Sequence, residues 1–449
     1  MKILHKLIYI VCFIPVLLFS QNISLTVYNN DLALVREIRN LQIKSGISDL
    51  SYIDVAAKIK PTSVHFKSLT SPEKLTVLEQ NFEYDLVSSA KIMKKYLDQT
   101  IQIVTKQGDV FEGVLLSAES SHIILQNPSG KIKIISDDII QYFDFPELPE
   151  GLITRPTLVW LVKNQGDKNH KTEISYLTNG MKWHAEYVGV VDKDDKTMEF
   201  SGWVSIQNDC GNTFDNAQLK LVAGDVHTIE KPKRYVLPKS ATMEALAAEP
   251  QFEEKAFFEY HLYTLNRQTT LKNNQTKQLS LFPQTTAETE KIYIYDGQRY
   301  NDKIRVNLEF QNSKNSGLGM PLPKGKVRVY KKDVDGAQEF IGEDQIDHTP
   351  SDEVVRIYLG NAFDIVGERK KISSEKITSR VREEKYRINL RNHKENAVDI
   401  VVVEHFWGDW EIIQKSHSFT RKDAYTAEAV VIVPEDGEVE VEFTVRLKW

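Results

Sequence analysis

Apolar and polar residues alternate with a period of two along most of the chain after residue 22. The clearest runs are ISLTVYN (23–29), KIRVNLEF (303–310), KVRVYKK (326–332), KYRINLRN (385–392), DIVVVEHF (399–406), AVVIVP (429–434) and EVEVEFTVRLKW (438–449). A period of two puts successive side chains on opposite faces, so each run predicts a strand with one buried face. Asp335-Gly336 and Glu435-Asp436-Gly437 separate runs with residues suited to turns. Short strands divided by turns predict sandwiches or barrels rather than βαβ units. The expected fold class is mostly β: multi-domain β-sandwich or Ig-like modules, with a small SH3/Sm-like barrel and one short helix near the N-terminus.

The helical period falls in residues 85–97, DLVSSAKIMKKYL, with Leu86, Ala90, Met93 and Leu97 on one face. Five short runs follow: TIQIVTK (100–106), VFEGVLLSA (110–118), HIILQN (122–127), KIKIIS (131–136) and IIQYFDF (139–145). A helix and five such strands resemble an SH3-like or Sm-like barrel, in which Gly113 would let the second strand bend. Pro146, Pro149 and Pro156 then interrupt both helix and central strand, which marks a linker. Residues 231–255 have few large apolar side chains and predict a mobile loop. The expected units are 1–20, a signal peptide; 21–150, an N-terminal β region with helix 85–97 and small barrel 98–145; 151–382, a β-sandwich-rich domain; and 383–449, a C-terminal Ig-like β unit.

The signal peptide rests on Lys2 and Lys6 followed by the uncharged run from Leu7 to Phe19, too short for an ordinary membrane span. Ser20 is the expected last residue of the leader, although Leu18 departs from the small-residue rule. Val11 before Cys12 argues against a lipid-attachment motif. The whole chain has 57 Lys+Arg against 63 Asp+Glu, a net charge of −6. Removing residues 1–20 leaves 55 basic against 63 acidic residues, a net charge of −8, and a single cysteine, Cys210. An acidic chain without a basic–aromatic cluster is not expected to bind nucleic acid. One cysteine forms no internal disulfide. No second apolar run approaches membrane-spanning length, so no transmembrane helix is expected after the signal peptide.

Candidate chemistry is sparse. His184 and His405 lie in strand-like segments, without the helical His pair of a zinc protease. There is no GxSxG elbow. Cys210 sits in a polar turn with no neighbouring His, so it reads as a free thiol. Asp192, Asp194 and Asp195, and Asp333 with Asp335, read as hairpin turns rather than calcium loops. Gly317, Gly319, Pro321, Pro323 and Gly325 predict a tight connection that a strand follows, unlike a phosphate-binding loop, which needs a helix. Trp183, Trp203, Trp407 and Trp410 read as sandwich anchors, with an aromatic sugar platform as the sharper alternative. No catalytic, cofactor-binding or metal-binding residue is singled out.

Several stretches carry a family pattern: WHAEY (183–187), GWVSIQNDCGNTFDNAQLKLVAGDV (202–226), FEYHLYTL (258–265), NQTKQLSLF (274–282), GLGMPLPKGKVRVYKKD (317–333), FIGEDQIDHTPSDEVVRIYLGNAFDI (340–365) and VVEHFWGDWEI (402–412). Over about residues 155–449 the chain resembles the domain of unknown function 4139 family of exported bacterial proteins, and VYNNDLALVRE (27–37) looks like its leading segment. The resemblance implies no established activity. Some members are labelled mucoidy inhibitor-like, after an exopolysaccharide phenotype, and commonly carry a long coiled coil. This chain has the small barrel there instead. Where the family often has a Thr-Gly-Glu-Asp-Trp-type turn, this chain has Asp209-Cys210-Gly211-Asn212-Thr213.

The expected function is that of a non-catalytic exported envelope protein, a protein–protein binding or assembly module whose partners are other envelope proteins or surface polysaccharide. The alternatives are a hydrolase acting on polysaccharide or peptide, and a carbohydrate-binding protein.

Overall fold

The computed structural model describes residues 22–85, 87–118, 121–147, 149, 152–224, 226–227 and 251–449. The expected signal peptide, residues 1–20, lies outside the described residues. So do residues 231–250 of the expected loop, whose last residues instead enter the strand Phe252–Phe257.

The first sandwich begins at the first alternating run. Strand Asn22–Tyr28 turns Ile23, Leu25 and Val27 inward. It pairs antiparallel with Ala33–Gln42 and parallel with Phe214–Ala223. Asn169–Thr178 extends this sheet beyond Ala33–Gln42. A second layer, Met181–Val191, Thr197–Asn208, Gln275–Tyr295 and Gly325–Lys332, contributes Trp183, Tyr187, Phe200, Val204 and Val327 to the same core. Gly46–Ile53 and Leu75–Glu83 flank Thr157–Asn164 in a third, small sheet, whose Trp160 joins that core. The division expected at residue 150 therefore falls between parts of one core. Strands before and after it share sheets, because a long-range ladder can be closed by residues more than a hundred positions apart.

The block between these strands is the small module. Its helix is Ser89–Lys95, capped by Ser88 Oγ, which accepts the Lys91 N–H at 3.3 Å. That is shorter than the expected 85–97, and its packed face is Ile92, Met93 and Tyr96, while Ala90 and Leu97 are exposed. Tyr96, the C-cap residue, is also held from outside the helix, its hydroxyl donating to Glu147 O at 2.7 Å. Strands Thr100–Thr105, Val110–Ser117, His122–Gln126, Ile132–Ser136 and Ile140–Asp144 follow within a residue or two of expectation. The fifth pairs with the first, but no pairing joins the fourth to the fifth, so the five-stranded sheet is not a closed barrel. Close approach is what requires glycine at Gly113: a Cβ there would lie 2.6 Å from Gln126 O on the adjacent strand.

The second sandwich is built by strands that leave the first. Gln275–Tyr295 places Leu279, Leu281 and Ala287 in the first core and Tyr293 and Tyr295 in the second. Lys303–Gln311 places Leu308 and Phe310 in the first and Ile304 in the second. Val354–Thr378 divides in the same way, with Val355 and Ile357 in one core and Ile365 in the other. This strand pairs with Lys303–Gln311 along its first half and with Val381–Asn392 along its second, carrying the ladder from one layer to the other. Val381–Asn392 also pairs with Gly437–Lys448, which bears Asp409–Lys415 on its far side. Val398–His405 pairs parallel with Gln275–Tyr295 and antiparallel with Thr426–Val433. A cut at residue 383 falls inside a strand and leaves the C-terminal unit without Tyr293, Tyr295, Ile304 and Ile365.

Candidate functional site

In the second sandwich one layer turns an outward face to solvent. Tyr293 and Tyr295 point into the core, so Ile292 and Ile294 point out. The register then fixes a row across strands: Arg305 beside Ile294, Ile294 beside Val401, Val401 beside Val430. Val403 pairs with Glu428 and His405 with Thr426 on the same face. All of these but Val430, which lies just beyond, line a groove of about 560 Å³, within the size range of ligand sites. Its apolar floor is Ile292, Ile294, Val401 and Val403.

The short helix Gly297–Tyr300 adds Arg299 and Tyr300 to the lining. Asp296 caps it, with Oδ1 accepting the Arg299 N–H at 3.1 Å. Its Oδ2 lies 2.9 Å from His405 Nε2. An N–H on that nitrogen donates to Asp296, which leaves Nδ1 facing Thr426 Oγ1 at 3.5 Å. That separation is longer than the roughly 2.6–3.2 Å of a hydroxyl activated by a base. Behind this pair, fully buried Glu404 accepts both Arg369 Nε at 2.7 Å and a second guanidinium nitrogen at 2.8 Å. Gln298 also donates to Glu404, at 2.9 Å, so the buried ion pair holds the capping turn in place.

Charge on the rim is mostly paired. Lys422 meets Glu428 at 3.3 Å, and Arg356 meets Glu309. The Tyr425 backbone N–H holds the Asp423 carboxyl below the usual range. Arg305 differs. Its guanidinium sits 3.8 Å from the centre of the Tyr358 ring and 4.6 Å from that of Tyr300, and donates to Tyr300 Oη at 2.8 Å. Among the described residues it meets no carboxylate. The lining carries four cationic side chains, Arg299, Arg305, Arg356 and Lys422, against the carboxylates of Asp296, Asp423 and Glu428. With Glu309 beside Arg356 these charges balance, and Arg305 is the cation left without a carboxylate among the described residues.

A second hollow, about 750 Å³, lies in the small module between helix Ser89–Lys95 and the sheet. Met93, Leu97, Leu116, Ile123, Ile140 and Phe143 make it largely apolar. It brings together fewer ionisable groups than the groove.

The residues singled out in the sequence are dispersed. Trp183 and Trp410 are buried anchors whose indole N–H groups donate to Val222 O at 3.1 Å and Ala424 O at 2.7 Å. Trp203 is half-buried. Trp407 is 79% exposed and tilts against exposed Tyr425, 5.9 Å between centroids, next to Thr426 of the groove. Cys210 is free but buried, and burial pushes its thiol up to about 11. Asp192 and Asp195 shape a hairpin turn, Asp195 at φ +60° and paired with Lys291 and Lys331. Asp333 and Asp335 accept backbone N–H groups in another. The glycine–proline run wraps buried Asn312, which donates to Met320 O at 2.9 Å and Pro350 O at 2.8 Å and accepts Gly319 N–H at 3.1 Å. Gly317 and Gly319, at φ +72° and +84°, permit that path. Of the histidines considered, only His405 reaches the groove. Asp296, Arg305 and Thr426 carried no sequence signal beyond their place in strand ends and alternating runs.

His184 leads instead to a structural cluster. Its Nε2 lies 3.5 Å from Glu186 Oε1. That contact, with Arg328 and Ser205, lowers the Glu186 carboxyl to about 2 against the opposing effect of burial. The folded value lies below the ordinary 4.5, so the stabilisation is complete above that pH and fades as pH falls toward 2. In urea unfolding, the stability gap between wild type and Glu186→Gln should shrink from pH 5 to pH 2.5. A gap unchanged with pH would contradict this assignment.

Together these features define a class: a two-sandwich β protein with an open, mixed apolar and cationic groove on its second sandwich. The chain belongs to the family described as Domain of unknown function (DUF4139), which matches residues 172–446 and so spans both sandwiches. No curated protein matches it. Among the described residues no helix is long and apolar enough to cross a membrane.

Proposed function

We propose that the chain is an exported cell-envelope protein that acts by binding, as a protein–protein binding or assembly module. The observation that carries this reading is the uncovered aliphatic row on the second sandwich. Val430 and Ile432, 63% and 66% exposed, continue the floor formed by Ile292, Ile294, Val401 and Val403. Contiguous aliphatic side chains bordered by charge are the anatomy of a contact surface. Export is supported by the Lys2/Lys6 leader and the apolar run behind it. Of the two partner classes, envelope proteins suit an aliphatic row better than surface polysaccharide does.

A hydrolase is less well supported, because the carboxylates of the groove already have partners: Asp296 with His405 and Arg299, Glu428 with Lys422, Asp423 with backbone N–H groups. Carbohydrate binding is favoured by one observation, the exposed Trp407–Tyr425 pair. The test is affinity capture from envelope extract of the native host, with wild type beside the double variant Val430→Asp, Ile432→Asp. A specific partner should be recovered by wild type and lost at least tenfold by the variant. Equal recovery by both would overturn the reading, as would loss of capture on Trp407→Ala alone with a glycan as the captured species.

A further inference from the structure

We infer that the groove receives an acidic peptide segment of the partner protein, with a carboxylate on Arg305 and aliphatic neighbours on the Ile/Val row. The inference rests on the binding reading above and deepens it by naming the chemistry of the occupant. Charge complementarity is its basis. Arg305 is the cation of the groove without a carboxylate, among the described residues, while Arg299, Arg356 and Lys422 have theirs.

Tyr300 and Tyr358 hold the guanidinium between a ring contact and a hydrogen bond to Tyr300 Oη, and its other N–H groups can donate to a carboxylate. Ile294 is its direct cross-strand neighbour, followed by Val401 and Val430. A ligand meeting all four therefore needs a carboxylate at one end and aliphatic groups beyond it. An extended peptide with an acidic residue at i and β-branched residues at i+2 and i+4 offers both on one face. A uronic-acid saccharide offers the carboxylate but no aliphatic side chains. A fatty acid offers both, but Val430 and Ile432 are too open to solvent to enclose an acyl chain.

The probe is a fluorescein-labelled Glu/Val peptide repeating Glu-Ser-Val-Ser-Val-Ser, which places Glu and Val on one face when extended, titrated against the full-length chain by anisotropy at low and moderate salt. The expected result is binding that weakens with salt and falls at least tenfold in Arg305→Met and in Val430→Asp. A Lys/Val peptide should not bind. Arg446→Met, whose arginine pairs with Glu383 outside the groove, should leave affinity unchanged. Thermal unfolding of each variant separates lost binding from lost fold, and exposed Val430 provides a second variant that does not touch the stacked tyrosines. No binding of the Glu/Val peptide, equal affinity in Arg305→Met, or tighter Arg305-dependent binding of an oligohexuronate would overturn the inference. If capture of the native partner is lost in the Val430/Ile432 double variant but kept in Arg305→Met, the binding reading stands and the acidic-segment inference falls.

Discussion

Arg369→Ala is expected to lower stability by about 3–5 kcal/mol, because it strands the Glu404 carboxylate in a site with no solvent exposure. In the native protein the guanidinium meets that carboxylate through two hydrogen bonds, 2.7 and 2.8 Å, and lies 3.9 Å from the centre of the Tyr386 ring. Removing one partner of such a pair costs far more than removing both, since the charge left behind has neither water nor a counter-ion. The double variant Arg369→Met, Glu404→Gln should therefore recover much of the loss. Urea unfolding at neutral pH measures both. A loss below about 1 kcal/mol in the single variant, or a double variant no more stable than the single, would refute this account. The same pair holds Gln298, so the single variant should also loosen the turn that presents Asp296 to the groove.

Trp160→Ala should cost a comparable amount, about 3–5 kcal/mol, through loss of a large side chain from the first core. Trp160 is fully buried, stacks on Phe66 at 4.6 Å, tilts against Tyr52 at 5.9 Å and donates its indole N–H to Gln80 at 2.9 Å. Every one of those contacts reaches a residue before position 85, while Trp160 itself lies beyond the inserted small module. Tryptophan fluorescence and far-UV circular dichroism in guanidinium follow the transition. Should Trp160→Ala destabilise by less than about 1 kcal/mol, residues 22–83 would not be the integral part of the sandwich described above.

Local structure was largely legible in the sequence. The runs 303–310, 326–332, 399–406 and 438–449 became strands Lys303–Gln311, Gly325–Lys332, Val398–His405 and Gly437–Lys448. Alternation is a local property, and a half-buried strand writes it directly. Pairing is not local. Nothing within ISLTVYN indicates that it will lie parallel to Phe214–Ala223, with Ser24 beside Gln218. The expected domain limits failed for the same reason: they followed changes in composition, whereas the cores are assembled by strands distant in sequence.

The groove was illegible for a related reason. His405 drew attention as a lone histidine in a strand, yet its meaning comes from Asp296, 109 residues earlier. Arg305 looked like one more solvent-facing residue of KIRVNLEF. Its distinction depends on two tyrosines and on the absence of a carboxylate partner among the described residues, which the fold alone decides.

The shared strands also set the mechanics of the molecule. Gln275–Tyr295, at about 3.3 Å per residue, would reach roughly 70 Å if straight, and it runs unbroken from one core to the other. Lys303–Gln311 pairs with it, and Val354–Thr378 pairs with Lys303–Gln311 on the other side. A hinge between the sandwiches would have to bend three strands and the two ladders that join them. Shared strands therefore resist relative motion of the two cores, so a partner docked in the groove would be felt through continuous backbone by the first sandwich rather than across a flexible linker.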